Sequence, residues 1–373
     1  MQSEITRRRL VQAAAVSPLA GARGTAANSA VTVGLIGSGG RGTFDAGLMV
    51  NVENARVVAV CDIFDDRIAR IKQSVPLVKE AKVYKDYREL LASDVDAVII
   101  ATPVFLHPEH FEAAVKAGKN IYIEKPAGVD VEGCKRVIRA AESADRKLNI
   151  AFGFQQRYGQ GYQKARKLVA EGAIGKIQMA HAHFIKGAYS ETPLPAPRNA
   201  EEKMRQWTVW RDWFGDIIVE TYCHSIDVLN WFLNGHPSKA YGTGGRTAEK
   251  RGDISDHCDV TFTYADNVQA VLTGSQITPA FFRSVNEQFY GAKGVIETAR
   301  EYWTHTRGRN DAATEKSPRE ITIDALETFI RNIQNGTPEN VGVRAAESTL
   351  TAIMGRMAID QKREMTWEEV VRS

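Results

Sequence analysis

Apolar residues follow two patterns along the chain, and the change between them falls near its middle. In the first part they form short continuous runs, Val31 to Ile36, Arg56 to Cys61, Val95 to Ala101 and Asn120 to Ile123, with helical patterns between them. Leu148 to Gly153 supplies a last run. Continuous apolar strands alternating with helices predict an α/β domain, a doubly wound parallel sheet covered on both faces, over residues 31–153. Farther on, Cys258, Val260, Phe262 and Tyr264 alternate with Asp259, Thr261 and Thr263, the period of a half-buried strand. Val268 to Ser275 and Val285 to Tyr290 are suited to pair with it, and the turn Gly291-Ala292-Lys293-Gly294 leads into Val295-Ile296-Glu297. Helical patterns cover Ile323 to Gln334 and Arg344 to Gln361, and Thr366 with Glu369 forms a capping box for a last short helix.

The turn after the first run reads Gly37-Ser38-Gly39-Gly40-Arg41-Gly42, a G-x-G-x-x-G that closes a strand and opens a helix. Asp62 stands at the end of the second run. In this setting Gly37 permits the tight turn, Gly39 lets backbone N–H groups approach a pyrophosphate, and Gly42 lets helix and strand pack closely. The helix N-terminus adds partial positive charge beneath the phosphates. Asp62 can accept hydrogen bonds from a ribose diol and would repel a 2′-phosphate, which favours NAD over NADP. Arg41 works against that preference and keeps NADP open.

Two further segments end later strands, at the edge where open α/β sheets bind ligands. One is Ala101-Thr102-Pro103 with His107 beyond it, and the other is Glu124-Lys125-Pro126. Pro126 biases Lys125 toward an extended backbone. A lysine desolvated there, beside a cationic nicotinamide, is expected to have its pKa pushed down to values useful for acid–base chemistry.

The first 30 residues differ from the rest. Arg7, Arg8 and Arg9 precede an Ala-rich stretch from Leu10 to Ala22, then small residues suited to cleavage. This predicts a twin-arginine export signal and a periplasmic protein. The apolar run falls short of the ~18 residues that a membrane span needs. The chain of 373 residues has a formal net charge of +3, and the leader, with Arg7, Arg8, Arg9 and Arg23 against Glu4, accounts for it. No basic footprint for nucleic acid remains. Cys61, Cys134, Cys223 and Cys258 are widely spaced without a C-x-x-C and read as buried thiols.

The glycine fingerprint, Asp62, Thr102-Pro103 with His107, and Glu124-Lys125-Pro126 together resemble the glucose–fructose oxidoreductase, inositol dehydrogenase and rhizopine-catabolism family, from about Val31 to the C-terminus. The resemblance implies a Rossmann domain followed by an α+β domain, residues 154–373, with a large, mostly antiparallel sheet used for homo-oligomerisation. It implies that Lys125 lies beside the nicotinamide and the substrate hydroxyl, and that Gln155 and Arg157, in Phe154-Gln155-Gln156-Arg157, face the substrate. The family then carries an Asp four residues before a His. Here Glu220 and His224 hold those places, with Asp227 three residues on. On one continuous helix all three share a face, and Glu220 would orient His224 for a proton relay.

Trp207, Trp210 and Trp213 recur every third residue beside Arg211 and Asp212, so Trp210 and Arg211 are candidates for a sugar-stacking wall, with core packing as the alternative. His181 and His183 alternate on a strand without a third ligand, and no metal site is expected. The function implied is hydride transfer between a hydroxyl-bearing carbon of a sugar or polyol and a tightly bound nicotinamide. Two alternatives stand beside it: redox-neutral hydrolysis of a glycoside with the same bound NAD, and a non-catalytic dinucleotide-binding protein.

Overall fold

The computed structural model describes residues 30–187 and 192–373; the expected export signal lies outside the described residues. The first sheet consists of β1 (Val31–Ile36), β2 (Ala55–Cys61), β3 (Lys82–Tyr84), β4 (Ala97–Ile100), β5 (Asn120–Ile123) and β6 (Ile150–Phe152). Its order is β3-β2-β1-β4-β5-β6, and every neighbouring pair is parallel. The order reverses between β1 and β4, which opens a crevice beyond their carboxyl ends. β4 is buried at all four positions, as a strand covered by helices on both faces must be. β3 has no apolar run, and its three residues reach the sheet only as an edge.

The second sheet has nine strands. They are β7 (Ile177–Lys186), β8 (Lys239–Gly245), β9 (His257–Thr263), β10 (Gln269–Ser275), β11 (Arg283–Gly291), β12 (Val295–Ala299), β13 (Tyr302–Gly308), β14 (Asp311–Lys316) and β15 (Met365–Thr366). Their order is β14-β13-β12-β11-β7-β10-β9-β8-β15. β7 and β10 run parallel and the other pairs antiparallel. One face is apolar: Ala180, Ala182 and Phe184 of β7, Leu272 of β10 and Phe289 of β11 are buried in one core with Ile226 and Leu229 of the helix Cys223–Phe232. β13 still contributes Trp303 to this core, whereas β14 is exposed along its whole length, so apolar periodicity gave no sign of it.

Chain order and packing diverge at the C-terminus. The helix Ile321–Asn335 buries Ala325, Leu326, Phe329 and Ile330 against Val31, Val33 and Leu35 of β1 and Met49. The helix Gly342–Gln361 packs on the helix Val131–Ser143 and on β8, so it touches both sheets. Thr366 caps the final helix, with both hydrogen bonds of the expected capping box in place.

Candidate active site

The glycine loop crosses the end of β1 with Gly37 at φ +94°, a conformation that costs glycine little. A Cβ on Gly42 would sit 1.9 Å from the Gly37 carbonyl oxygen, so only glycine lets the helix Gly40–Met49 approach the strand. Gly39 and Gly40 are the opposite case, since a Cβ on either would meet nothing within 4 Å. That open cradle sits over a helix N-terminus whose N-cap, Gly39, offers no side-chain cap. The buried Ser38 hydroxyl beside it has no partner. Free N–H groups, partial positive charge and bare backbone fit a pyrophosphate. Asp62 Oδ2 accepts from Ser38 N at 2.8 Å and Oδ1 from Phe64 N at 2.9 Å, which fixes its carboxylate at the end of β2, where a ribose would lie. Arg41 is committed elsewhere: its Nη2 lies 2.9 Å from Glu124 Oε1 and 3.0 Å from Asp45 Oδ1. The expected pull of Arg41 toward a 2′-phosphate is therefore corrected.

A cleft of about 310 Å3 opens beyond this loop, between the carboxyl ends of the first sheet and the second domain. Ala101, Thr102, His107, Glu124 and Lys125 line one side, and Glu220, Thr221 and His224 another. Pro103 follows Thr102 and leads into the short turn Val104–Leu106. His107 ties the two strand ends together, with Nδ1 2.7 Å from the Pro126 carbonyl oxygen and Nε2 2.9 Å from that of Thr102. Burial holds its pKa below the ordinary histidine value.

Lys125 donates from Nζ to the Glu220 backbone oxygen at 2.5 Å and to Glu220 Oε1 at 2.7 Å. Two sequence expectations are corrected by this contact. Burial alone would lower the Lys125 pKa, but the Glu220 carboxylate outweighs it, and the ammonium is held above the ordinary lysine range. Glu220 in turn orients Lys125 rather than His224. The reason is local: Glu220 ends the helix Ile217–Glu220, and a new helix begins at Cys223. Tyr222 N bonds back five residues to the Ile217 oxygen at 3.0 Å, so the turn widens and the Glu220 carbonyl is left for Lys125.

His224 is buried, its ring lies edge-on to Phe154 with centroids 6.1 Å apart, and its Nδ1 has no partner. Burial, reinforced by Lys125 and other nearby cations, holds its pKa far below the usual value, so the imidazole is neutral.

Four candidate substrate residues lie elsewhere. Arg157 and Asp227 form a buried two-pronged ion pair, both contacts 2.8 Å, and Ser348 Oγ donates to Asp227 Oδ1 at 2.7 Å. They lock the His224 helix to the helix Gly342–Gln361 and do not line the cleft. Arg211 faces Asp216 and Asp360. Trp210 is not among the cleft residues either; Trp207 is. Gln155 is buried beneath the cleft and donates to Glu124 Oε1 at 3.1 Å. Sequence reasoning missed Phe184, Lys186, Arg283 and Arg300, which also line the cleft. A cation at a strand end carries no pattern of its own, and only the alternation Ala180, Ala182, Phe184, Lys186 hinted that Lys186 shares the buried face.

Comparison with known proteins agrees with this geometry. Residues 31–152 match the model described as the oxidoreductase family, NAD-binding Rossmann fold, and residues 162–297 match the GFO/IDH/MocA C-terminal domain. Together these spans exceed half the chain. A myo-inositol 2-dehydrogenase of Thermotoga maritima is 24% identical over 354 residues, 91% of this chain and 99% of the relative. An inositol 2-dehydrogenase of Klebsiella pneumoniae is 33% identical over 207 residues, 54% of each chain. Among solved structures, levoglucosan dehydrogenase in complex with NADH and levoglucosan superposes with a TM-score of 0.77 at 18% identity, covering 90% of this chain and 99% of that one. Apo scyllo-inositol dehydrogenase from Lactobacillus casei gives 0.73 at 19% identity, covering 92% and 99%. With its glycine cradle, its Asp62 and both domains accounted for, the chain belongs to the GFO/IDH/MocA family of NAD-binding oxidoreductases.

Proposed function

We propose that the protein is an NAD-dependent dehydrogenase that oxidises a secondary hydroxyl of a sugar or polyol. The carrying observation is the Lys125 ammonium, buried in the cleft wall, held by two oxygens of Glu220 and facing the same space as the neutral His224. When bound, the nicotinamide supplies the hydride acceptor. Lys125, kept charged by Glu220, donates a hydrogen bond to the substrate oxygen and favours its alkoxide character. His224, a neutral imidazole on the same cleft wall, accepts the hydroxyl proton. Asp62 supports NAD over NADP, because Arg41 is paired with Glu124 and Asp45. The relatives are named for inositols and levoglucosan, which supports a polyhydroxylated ring as the part of the substrate that reacts. Redox-neutral hydrolysis lacks such support, since these relatives are named dehydrogenases.

The test is NADH formation by purified protein with a panel of polyols and sugars. Lys125→Met should lower kcat by about 10³-fold while NAD still binds, the scale of a lost transition-state donor. Wild-type turnover rates in Lys125→Met would end this assignment. Export by the twin-arginine route is proposed from Arg7, Arg8 and Arg9; fractionation of cells carrying Arg8→Lys/Arg9→Lys protein should show loss of periplasmic protein.

A further inference from the structure

The cleft carries more positive charge than its chemistry uses. Arg41 is matched by Glu124 and Lys125 by Glu220, whereas Lys186, Arg283 and Arg300 remain on the same walls. Among the described residues, Lys186 and Arg283 form no ion pair, and Arg300 meets only Glu320, at 3.6 Å. These three cations come from adjacent strand ends, in the order β12-β11-β7. Arg283 stands directly opposite Lys186 in the antiparallel register, one step past the pair Val285 and Phe184. Arg300 follows β12 on the face of Ile296 and Thr298, and Thr298 is opposite Glu287. All three therefore extend the buried face of the second sheet to where it meets the cleft.

Like charges placed opposite one another across strands are destabilising, and the partial burial of Lys186 and Arg300 adds to that cost, while Arg283 at its strand end is exposed. Burial and the neighbouring Lys125, Arg283 and Arg300 hold Lys186 below the ordinary lysine range, despite Glu220. The open glycine cradle at Gly39 and Gly40 is in the first domain and is not among the residues that line this cleft.

We propose that Lys186, Arg283 and Arg300 form an anion subsite, so that the substrate is a polyhydroxy compound carrying a carboxylate or phosphate, a sugar acid or sugar phosphate rather than a neutral polyol. The anion is held by the second sheet while the reacting hydroxyl is presented to Lys125 and His224. Arginine supplies the forked donors suited to both oxyanions. The inference rests on the dehydrogenase reading for its turnover test only; binding tests it separately.

The experiment uses the full protein saturated with NADH for calorimetry and with NAD for turnover. Probes are glucuronate, gluconate and glucose 6-phosphate against glucose and myo-inositol. At least one anion should bind about tenfold or more tighter than its neutral counterpart, the scale of one charged hydrogen bond, and Arg283→Gln should remove most of that preference. The carboxylate and phosphate arms identify which oxyanion fits. Equal or weaker binding of all anions overturns the proposal, as does an Arg283→Gln protein that keeps the preference or loses only NAD affinity. Anion binding without oxidation of any sugar keeps the subsite and removes the dehydrogenase reading; oxidation of neutral polyols alone does the reverse.

Discussion

Glu287 allows the energetics of the second domain to be tested with one atom changed. Its carboxyl is fully buried, accepting from Ser225 Oγ at 2.7 Å, Thr298 Oγ1 at 3.0 Å and Tyr162 OH at 3.1 Å. Burial outweighs those donors and pushes its pKa from 4.5 up to about 7. The charged form is thus disfavoured in the fold by about 3 kcal/mol, at about 1.4 kcal/mol per pH unit. Because the folded pKa lies above the unfolded one, the stability it contributes is complete below pH 4.5 and is lost as pH rises to about 7. Glu287→Gln keeps the volume and cannot ionise. The neutral variant should gain about 2 to 3 kcal/mol relative to wild type between pH 5 and pH 8, on top of a pH-independent offset of about 1 kcal/mol for any hydroxyl that must reorient. Urea unfolding of both proteins at the two pH values measures it, and other titrating groups cancel in the difference. Stability curves that stay parallel from pH 5 to pH 8 would refute the reasoning, because the carboxyl would then be ionised throughout.

Three other perturbations probe the site and its support. Gly42→Ala, whose Cβ meets the Gly37 oxygen, should cost about 1 to 3 kcal/mol in a melt and weaken NAD binding. Gly39→Val, with open space around it, should keep the melting temperature of the free protein and lose NAD affinity in a titration. Glu220→Gln removes the charge that outweighs burial at Lys125, so the pH–rate limb belonging to that lysine should move to lower pH; an unmoved limb would detach Glu220 from the lysine's titration. Asp227→Ala strands a buried Arg157 and should cost about 3 to 5 kcal/mol in urea unfolding, whereas a cleft residue would chiefly change kinetics.

The parallel sheet was legible because its strands are buried on both faces: β1 and β5 match the apolar runs to the residue, while the Val95 to Ala101 run overshoots β4 at both ends. β3 and β14 escaped because edge strands bury too little to print a pattern, and β13, beside the edge, buries only Trp303 and His305. The glycine loop and Lys125 were legible from spacing, which a dinucleotide dictates locally. The partner of Lys125 was not. A helix continued through Tyr222 looks reasonable in sequence, and the Tyr222 ring at the break packs against a glycine far along the chain, where a Cβ at Gly274 would lie 2.1 Å from it. Arg157 and Asp227 were legible as functional polar residues, but charge alone does not distinguish a buried clasp from a ligand contact. The Lys186 cluster is assembled from three strands distant in sequence, so it exists only once the register is fixed.

The packing of Ile321–Asn335 on β1 bears on the order in which the protein can be made. Synthesis delivers the glycine loop early, yet the apolar surface of β1 beside it is covered only when Ala325, Leu326, Phe329 and Ile330 emerge some three hundred residues later. A nascent chain carrying only the nucleotide half therefore leaves this face of β1 and Met49 uncovered, and the first domain closes its core only when the chain's last hundred residues arrive.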